Sequence, residues 1–101
     1  MTIEKILDLE KMPKEWKDNI ADGCFTMLMQ SLEDSLWAIN IADDDISNEG
    51  YNLCKNNLIN LNLWNEEYDL LFSKAKKKEL DCNYVHDFIL QEKNKYKIIA
   101  K

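Results

Sequence analysis

At 101 residues, with 46% apolar and 32% charged residues, the chain has the size and composition of one globular domain with its own core, and it is too short for two. Two glycines and one proline leave little turn-forming material for a sheet protein, so the composition leans to helix. A formal net charge of −6 and the absence of arginine argue against nucleic acid as a partner, because phosphate binding rests on clustered cations.

No apolar run approaches the roughly 20 residues needed to span a bilayer. The opening Met1-Thr2-Ile3-Glu4-Lys5 lacks the charged-then-apolar pattern of a signal region. The expectation is a cytoplasmic protein with no membrane partner. Cys24, Cys54 and Cys82 cannot all pair within one chain, and reduced, buried thiols are the expected state. Charge is unevenly distributed: residues 1–72 hold 15 acids and 5 lysines, whereas residues 73–101 hold 4 acids and 8 lysines. The acidic part is the informative one.

Thr2 is an expected N-cap for a first short helix carrying Ile3, Ile6, Leu7 and Met12 toward the core. Pro13 closes it and opens a second short helix through Lys14, Trp16, Lys17 and Ile20. Asp22 then caps the central helix, with Gly23 giving the chain room to turn. From Cys24 to Ala42, residues Phe25, Leu28, Met29, Leu32, Leu36 and Ile39 fall on one face at the spacing of a buried helical stripe. Cys24, Ser31, Ser35, Ala38 and Ala42 form a strip of small residues beside it, where another helix backbone can approach. Asp43, Asp44 and Asp45 follow at the negative end of that helix's dipole, where carboxylates are disfavoured. Their neutralisation is expected to leave folding intact or slightly improved.

The segment from Asp43 to Ser47 reads as a loop, with Ser47 as the next N-cap and Ile46 packing on Tyr51 in a hydrophobic staple. The helix that follows sets Tyr51, Cys54, Leu58 and Leu61 on one side. Asn65 caps a segment in which Trp64, Tyr68, Leu71, Phe72 and Ala75 keep the apolar spacing. Its acids lie at the start and Lys74, Lys76, Lys77 and Lys78 at the end, as the helix dipole favours. Asp81 or Asn83 caps a last helix that buries Tyr84, Val85, Phe88 and Ile89 and turns Gln91, Glu92 and Lys93 outward. Tyr96, Ile98 and Ile99 either continue it or pack as an extended tail. The fold expected is a single all-α domain over 1–101, a compact bundle of four or five helices around a central helix at about 23–42.

Catalytic and metal chemistry find little footing. Cys82 and His86, four apart, with Cys24 and Cys54 would give a zinc ligand set, but no two cysteines share a tight knuckle of the C-x-x-C kind. Cys82, His86 and Asp87 fail as a catalytic set because adjacent helical residues point about 100° apart, so Asp87 cannot orient the His86 ring. Asp43, Asp45 and Ser47 begin like a calcium loop. Asn48 then stands where the turn glycine belongs, and Cys54 stands where a bidentate glutamate is needed, which excludes an EF-hand. The expectation is no enzyme, no cofactor and no metal.

The same acids suit a protein-binding surface. Glu33, Asp34, Trp37 and Ile41 are read as the exposed side of the central helix, continued by Asp43, Asp44, Asp45 and Glu49, with Trp37 or Tyr51 as the buried anchor. In size, acidity and helical build the chain resembles the small immunity proteins that neutralise bacterial nuclease toxins, and phage or plasmid inhibitors that imitate nucleic acid. The resemblance implies a basic protein partner whose substrate surface is occluded. It carries no residue roles, since the paired tyrosines before a proline of the helical colicin immunity proteins are absent. A regulatory adaptor receiving a partner helix in an apolar groove is the alternative. Either form is expected as a monomer or weak homodimer.

Overall fold

The computed structural model describes residues 3–7 and 21–100, with side chains from 25 to 96. Its elements are β1 (Ile3–Leu7), α1 (Ala21–Ile41), α2 (Asp45–Asn60), α3 (Glu67–Lys76), α4 (Cys82–Lys95) and β2 (Tyr96–Ala100). The fold is a compact helical bundle in which α1 touches α2, α3, α4 and β2. The helix expected at 23–42 is therefore the centre of the molecule. It is already helical at Ala21, so Asp22 lies within the helix rather than at its cap. All six residues of its expected apolar stripe are buried, each at 2% exposure or less.

The small-residue strip of α1 does what its composition allows. A Cβ added at Gly50 of α2 would lie 3.1 Å from Ser35 Oγ, so the two backbones are close at this crossing. The remaining core comes from Tyr51, Cys54, Leu58, Leu61 and Leu63, from Tyr68, Leu71 and Ala75 of α3, and from Val85 and Ile89 of α4.

The N-terminal segment departs from expectation. Residues 3–7 form a strand rather than the start of a helix, and β1 pairs in parallel with β2 from Ile3↔Tyr96 to Leu7↔Ala100. Apolar residues at 3, 6 and 7 fit a helical turn as well as a short strand, and five residues cannot separate the two periods. The partner strand at the far end of the chain decides the matter, since β preference is set by pairing and packing. Of the two alternatives for 96–99, the extended tail is the one adopted, and the Tyr96 ring meets Phe25 of α1 edge-on at 5.6 Å. The expected Thr2 cap and the short helix after Pro13 lie outside the described residues.

With glycine so scarce, three helix ends are closed by other residues in the left-handed region: Asp43 (φ 47°), Asn62 (φ 58°) and Lys78 (φ 60°). After α2, the Asn62 amide donates to Ile59 O and the Leu63 amide to Leu58 O, which satisfies the last carbonyls and turns Leu63 back into the core. After α3, Lys78 donates to Ala75 O and Glu79 to Lys74 O in the same pattern. Asparagine tolerates this conformation; lysine does not readily. Lys78→Gly is expected to raise stability by about 1 kcal/mol, read as a higher urea midpoint with an unchanged slope.

Candidate protein-binding surface

Two of the three aspartates that stood out in the sequence have structural work. α2 begins at Asp45, and its N-cap is Asp44, whose Oδ1 accepts from the Ser47 amide at 2.8 Å. Asp44, not Ser47, is the cap, and there is no loop through 47. Asp43 pairs with Lys76 Nζ at 2.7 Å and accepts from Asn48 Nδ2 at 2.9 Å. The acids that lie beyond the unfavourable end of α1 thus sit at the favourable start of α2. Hydrogen bonds from Lys76 and then Asn48 hold the Asp43 carboxyl below its ordinary range, and those from Ser47 do the same for Asp44.

These contacts point the other way from the expectation that neutralising the cluster leaves folding intact or slightly improved. A carboxylate whose folded pKa is depressed stabilises the protein above its unfolded pKa, and that contribution disappears as pH falls through the folded value. Asp43→Asn combined with Asp44→Asn is therefore expected to be less stable than the parent at neutral pH. The gap should close below about pH 4, where the unfolded carboxylates protonate. Urea melts at a series of pH values check this, and a gap independent of pH would sink it.

Three more of the expected surface residues are placed differently. Glu33 is buried at 7% exposure; it accepts from Gln30 Nε2, and its Oε1 lies 3.6 Å from His86 Nδ1 on α4. Tyr51 is a core residue, stacked on Phe72 with centroids 4.2 Å apart, and its hydroxyl donates to Asp69 Oδ1 at 3.3 Å. Burial, and then the nearby Asp69 carboxylate, push its hydroxyl pKa up. Tyr51 cannot serve as a surface anchor, nor can it form the staple with Ile46, which is 80% exposed. In place of the staple, Asn48 reaches back to Asp43 across the same turn. Trp37 is half-buried and packed against the core.

What remains at the surface is a different set. Ile41 (73% exposed) and Ile46 (80%) flank the short α1–α2 connection, and Leu53 (63%) follows Ile46 by seven residues on the same stripe of α2. Met27, also exposed, lies fourteen residues before Ile41 on the outer side of α1. Asp34, Asp45 and Glu49 are exposed around them and form no ion pair among the described residues. Residues 21–60 contain seven acids and one lysine, Lys55, which is engaged with Asp69 at 3.2 Å and lies over the Trp64 ring. The α1–α2 hairpin is thus an apolar surface in an acidic field. The anchors are aliphatic, and Ile46, expected in a staple on Tyr51, is one of them.

A second polar site lies inside. Glu92, expected to face water, is buried at 4% exposure. Its Oε1 accepts from Tyr68 Oη at 2.8 Å and from Asn65 Nδ2 at 2.8 Å, and Lys95 Nζ lies 3.7 Å from Oε2. Burial, and then the hydrogen bond to Glu92, raise the Tyr68 pKa. Tyr84 has the opposite fate: expected in the core, it is exposed, because α4 turns Val85, Ile89 and Glu92 inward instead. Asn65 Oδ1 accepts from the Glu67 amide at 3.0 Å, so its capping contact is present although α3 starts at Glu67. Asp81 is the cap of α4, accepting from the Tyr84 amide at 3.1 Å.

Cys54 is buried and Cys82 exposed, and burial pushes the Cys54 thiol up to about 11. Among the described residues no group of three or more His, Cys, Asp or Glu side chains could hold a metal ion, and no helix is long and apolar enough to cross a membrane. Compared with protein-family models, curated proteins and solved structures, the chain finds no match.

Proposed function

We propose that this chain is a small, non-enzymatic acidic binding protein that docks on a basic protein partner and inhibits it by covering its working surface. The observation that carries the reading is the α1–α2 hairpin, where Ile41, Ile46 and Leu53 stand exposed in a stretch with a single lysine. Large apolar side chains left in water on one hairpin suit an interaction site, since burying them on a partner recovers the area the fold leaves exposed. Their acidic surroundings would speed encounter with a cationic partner and disfavour anionic ones. A nuclease toxin domain fits this chemistry, because a surface built for phosphate is lined with lysine and arginine. On this reading the protein is antitoxin-like, an immunity protein or a comparable inhibitor acting in a bacterial cytoplasm, and it needs no nucleic acid, membrane or cofactor.

The seven-residue interval between Ile46 and Leu53 also supports the second reading, an adaptor that receives a partner helix along α2. Salt separates the two. Occlusion driven by charge weakens steeply as ionic strength rises, and helix docking on an apolar stripe does not. The test is to purify the product of the neighbouring gene, measure its binding and any nuclease activity, and titrate in this chain. Undiminished activity in a mixture shown to be uncomplexed would remove the inhibitor reading.

A further inference from the structure

The face opposite in charge to the α1–α2 hairpin lies on the same molecule. Between α3 and α4 runs a cleft of about 380 Å³ lined by Glu67, Leu70, Ser73, Lys74, Lys77 and Tyr84. Leu70 and Tyr84 are large apolar side chains left exposed, and Lys74 Nζ stands over the Tyr84 ring, 5.6 Å from its centroid. Neither Lys74 nor Lys77 has a carboxylate partner among the described residues. Glu67 lies at the start of α3, seven residues from Lys74, so the cationic end of the cleft is separate from it.

The hairpin and the cleft match in chemistry. One offers Ile46, with Asp45 beside it and Glu49 one turn along; the other offers exposed apolar side chains at Leu70 and Tyr84 beside two ammonium groups that have no carboxylate partner among the described residues. The geometry points to a second copy of this chain as the occupant of the α3–α4 cleft, with Ile46 against Leu70 and Tyr84, and Asp45 and Glu49 on Lys74 and Lys77. The contact rests on the apolar, acidic hairpin of the proposed function as one of its halves, and adds the cleft as the other. Because the two patches differ, the contact is heterologous: an open assembly keeps a free hairpin at one end and a free cleft at the other, and only a closed ring uses them all. A basic partner would compete with this self-association for the hairpin.

Sedimentation velocity from micromolar to millimolar protein, at about 20 mM and about 300 mM salt, tests it. The parent protein is expected to show concentration-dependent species larger than the monomer at low salt, reduced at least tenfold in association constant at high salt, roughly the screening expected of exposed pairs. Lys74→Glu with Lys77→Glu should be monomeric alone, as should Asp45→Lys with Glu49→Lys, far-ultraviolet spectra confirming that both fold. Mixed, these two variants carry complementary charges again and should associate with one another. A parent that is monomeric throughout overturns the inference, as does self-association that survives the lysine reversals or a mixture that stays monomeric. The lysine reversals leave the hairpin intact, so they should bind a basic partner as the parent does. Failure of the cleft is thereby distinguished from failure of the proposed function.

Discussion

Glu92→Ala is expected to destabilise the protein by about 2–4 kcal/mol, the largest effect of any single polar substitution among the described residues. The carboxylate is the shared acceptor of two donors, Tyr68 Oη and Asn65 Nδ2, both at 2.8 Å. Its removal leaves the fully buried Tyr68 hydroxyl with only a long contact to Met29 Sδ at 3.7 Å. An unsatisfied buried hydroxyl costs about 1–3 kcal/mol, and the missing side-chain volume adds to that. Glu92→Gln keeps a carbonyl oxygen for both donors and should cost no more than about 1 kcal/mol, since what it loses is the attraction to the half-exposed Lys95. Tyr68→Phe should fall between them at about 1.5–3 kcal/mol, by withdrawing a donor from a buried carboxylate. Chemical denaturation of the three variants, with a double-mutant cycle between Tyr68 and Glu92, measures the coupling. A change under about 0.5 kcal/mol for Glu92→Ala, the range of ordinary surface substitutions, would show that water replaces the carboxylate at no cost.

This network ties the connection before α3 to α4 through one buried charge, and among the described residues no buried side-chain nitrogen or oxygen is without a hydrogen-bond partner. It also marks where sequence reasoning reaches its limit. The apolar stripe of α1 was readable because six residues repeat the helical period across a long segment, and every one of them is buried. The buried faces of α2 and α3 were readable for the same reason, through Tyr51, Cys54, Leu58 and Leu61, and through Tyr68, Leu71 and Ala75. Glu92 was not. Its position on α4 follows the inward spacing of Val85 and Ile89, but a glutamate there reads as solvent-facing unless the partners Tyr68 and Asn65, distant in sequence, are already known to be nearby.

The strand pair failed for a related reason, since β1 and β2 are each five residues long and find their partner at the other end of the chain. The aspartate cluster was misread by a shift of a few residues. Placing the cap at Ser47 made Asp43, Asp44 and Asp45 look like charges with no structural duty, whereas a start at Asp45 turns one into the cap and leaves another to pair with Lys76 on α3. The candidate surface changed accordingly. Asp34, Asp45 and Glu49 keep the acidic field, Ile41 stays exposed as expected, and Ile46 and Leu53 take the place of Tyr51 and Trp37.

Substituting Ile41 and Ile46 together with serine is expected to weaken binding of a basic partner by about 30-fold or more, almost entirely through faster dissociation. These side chains are already in water in the free protein, so their loss should leave folding nearly unchanged while removing the apolar area that docking would desolvate. Neutralising Asp34, Asp45 and Glu49 to their amides should act on the other rate: slower association and a flatter salt dependence, with dissociation little altered, because exposed charges act mainly during encounter. Trp37→Ala should behave as a stability variant, since the ring packs against the core, and its cost should stay below the about 3–5 kcal/mol of a fully buried tryptophan. The two binding variants and Trp37→Ala therefore separate by observable: one moves dissociation, one association, and one the denaturation midpoint. Association and dissociation rates at low and moderate salt, with melts for each variant, provide the readout. If Ile41 and Ile46 can be replaced with no change in either rate while the fold persists, the partner surface is not the α1–α2 hairpin. The next acids to test would be Glu66 and Glu67 at the start of α3, because Asp69 is already engaged by Lys55 and Tyr51.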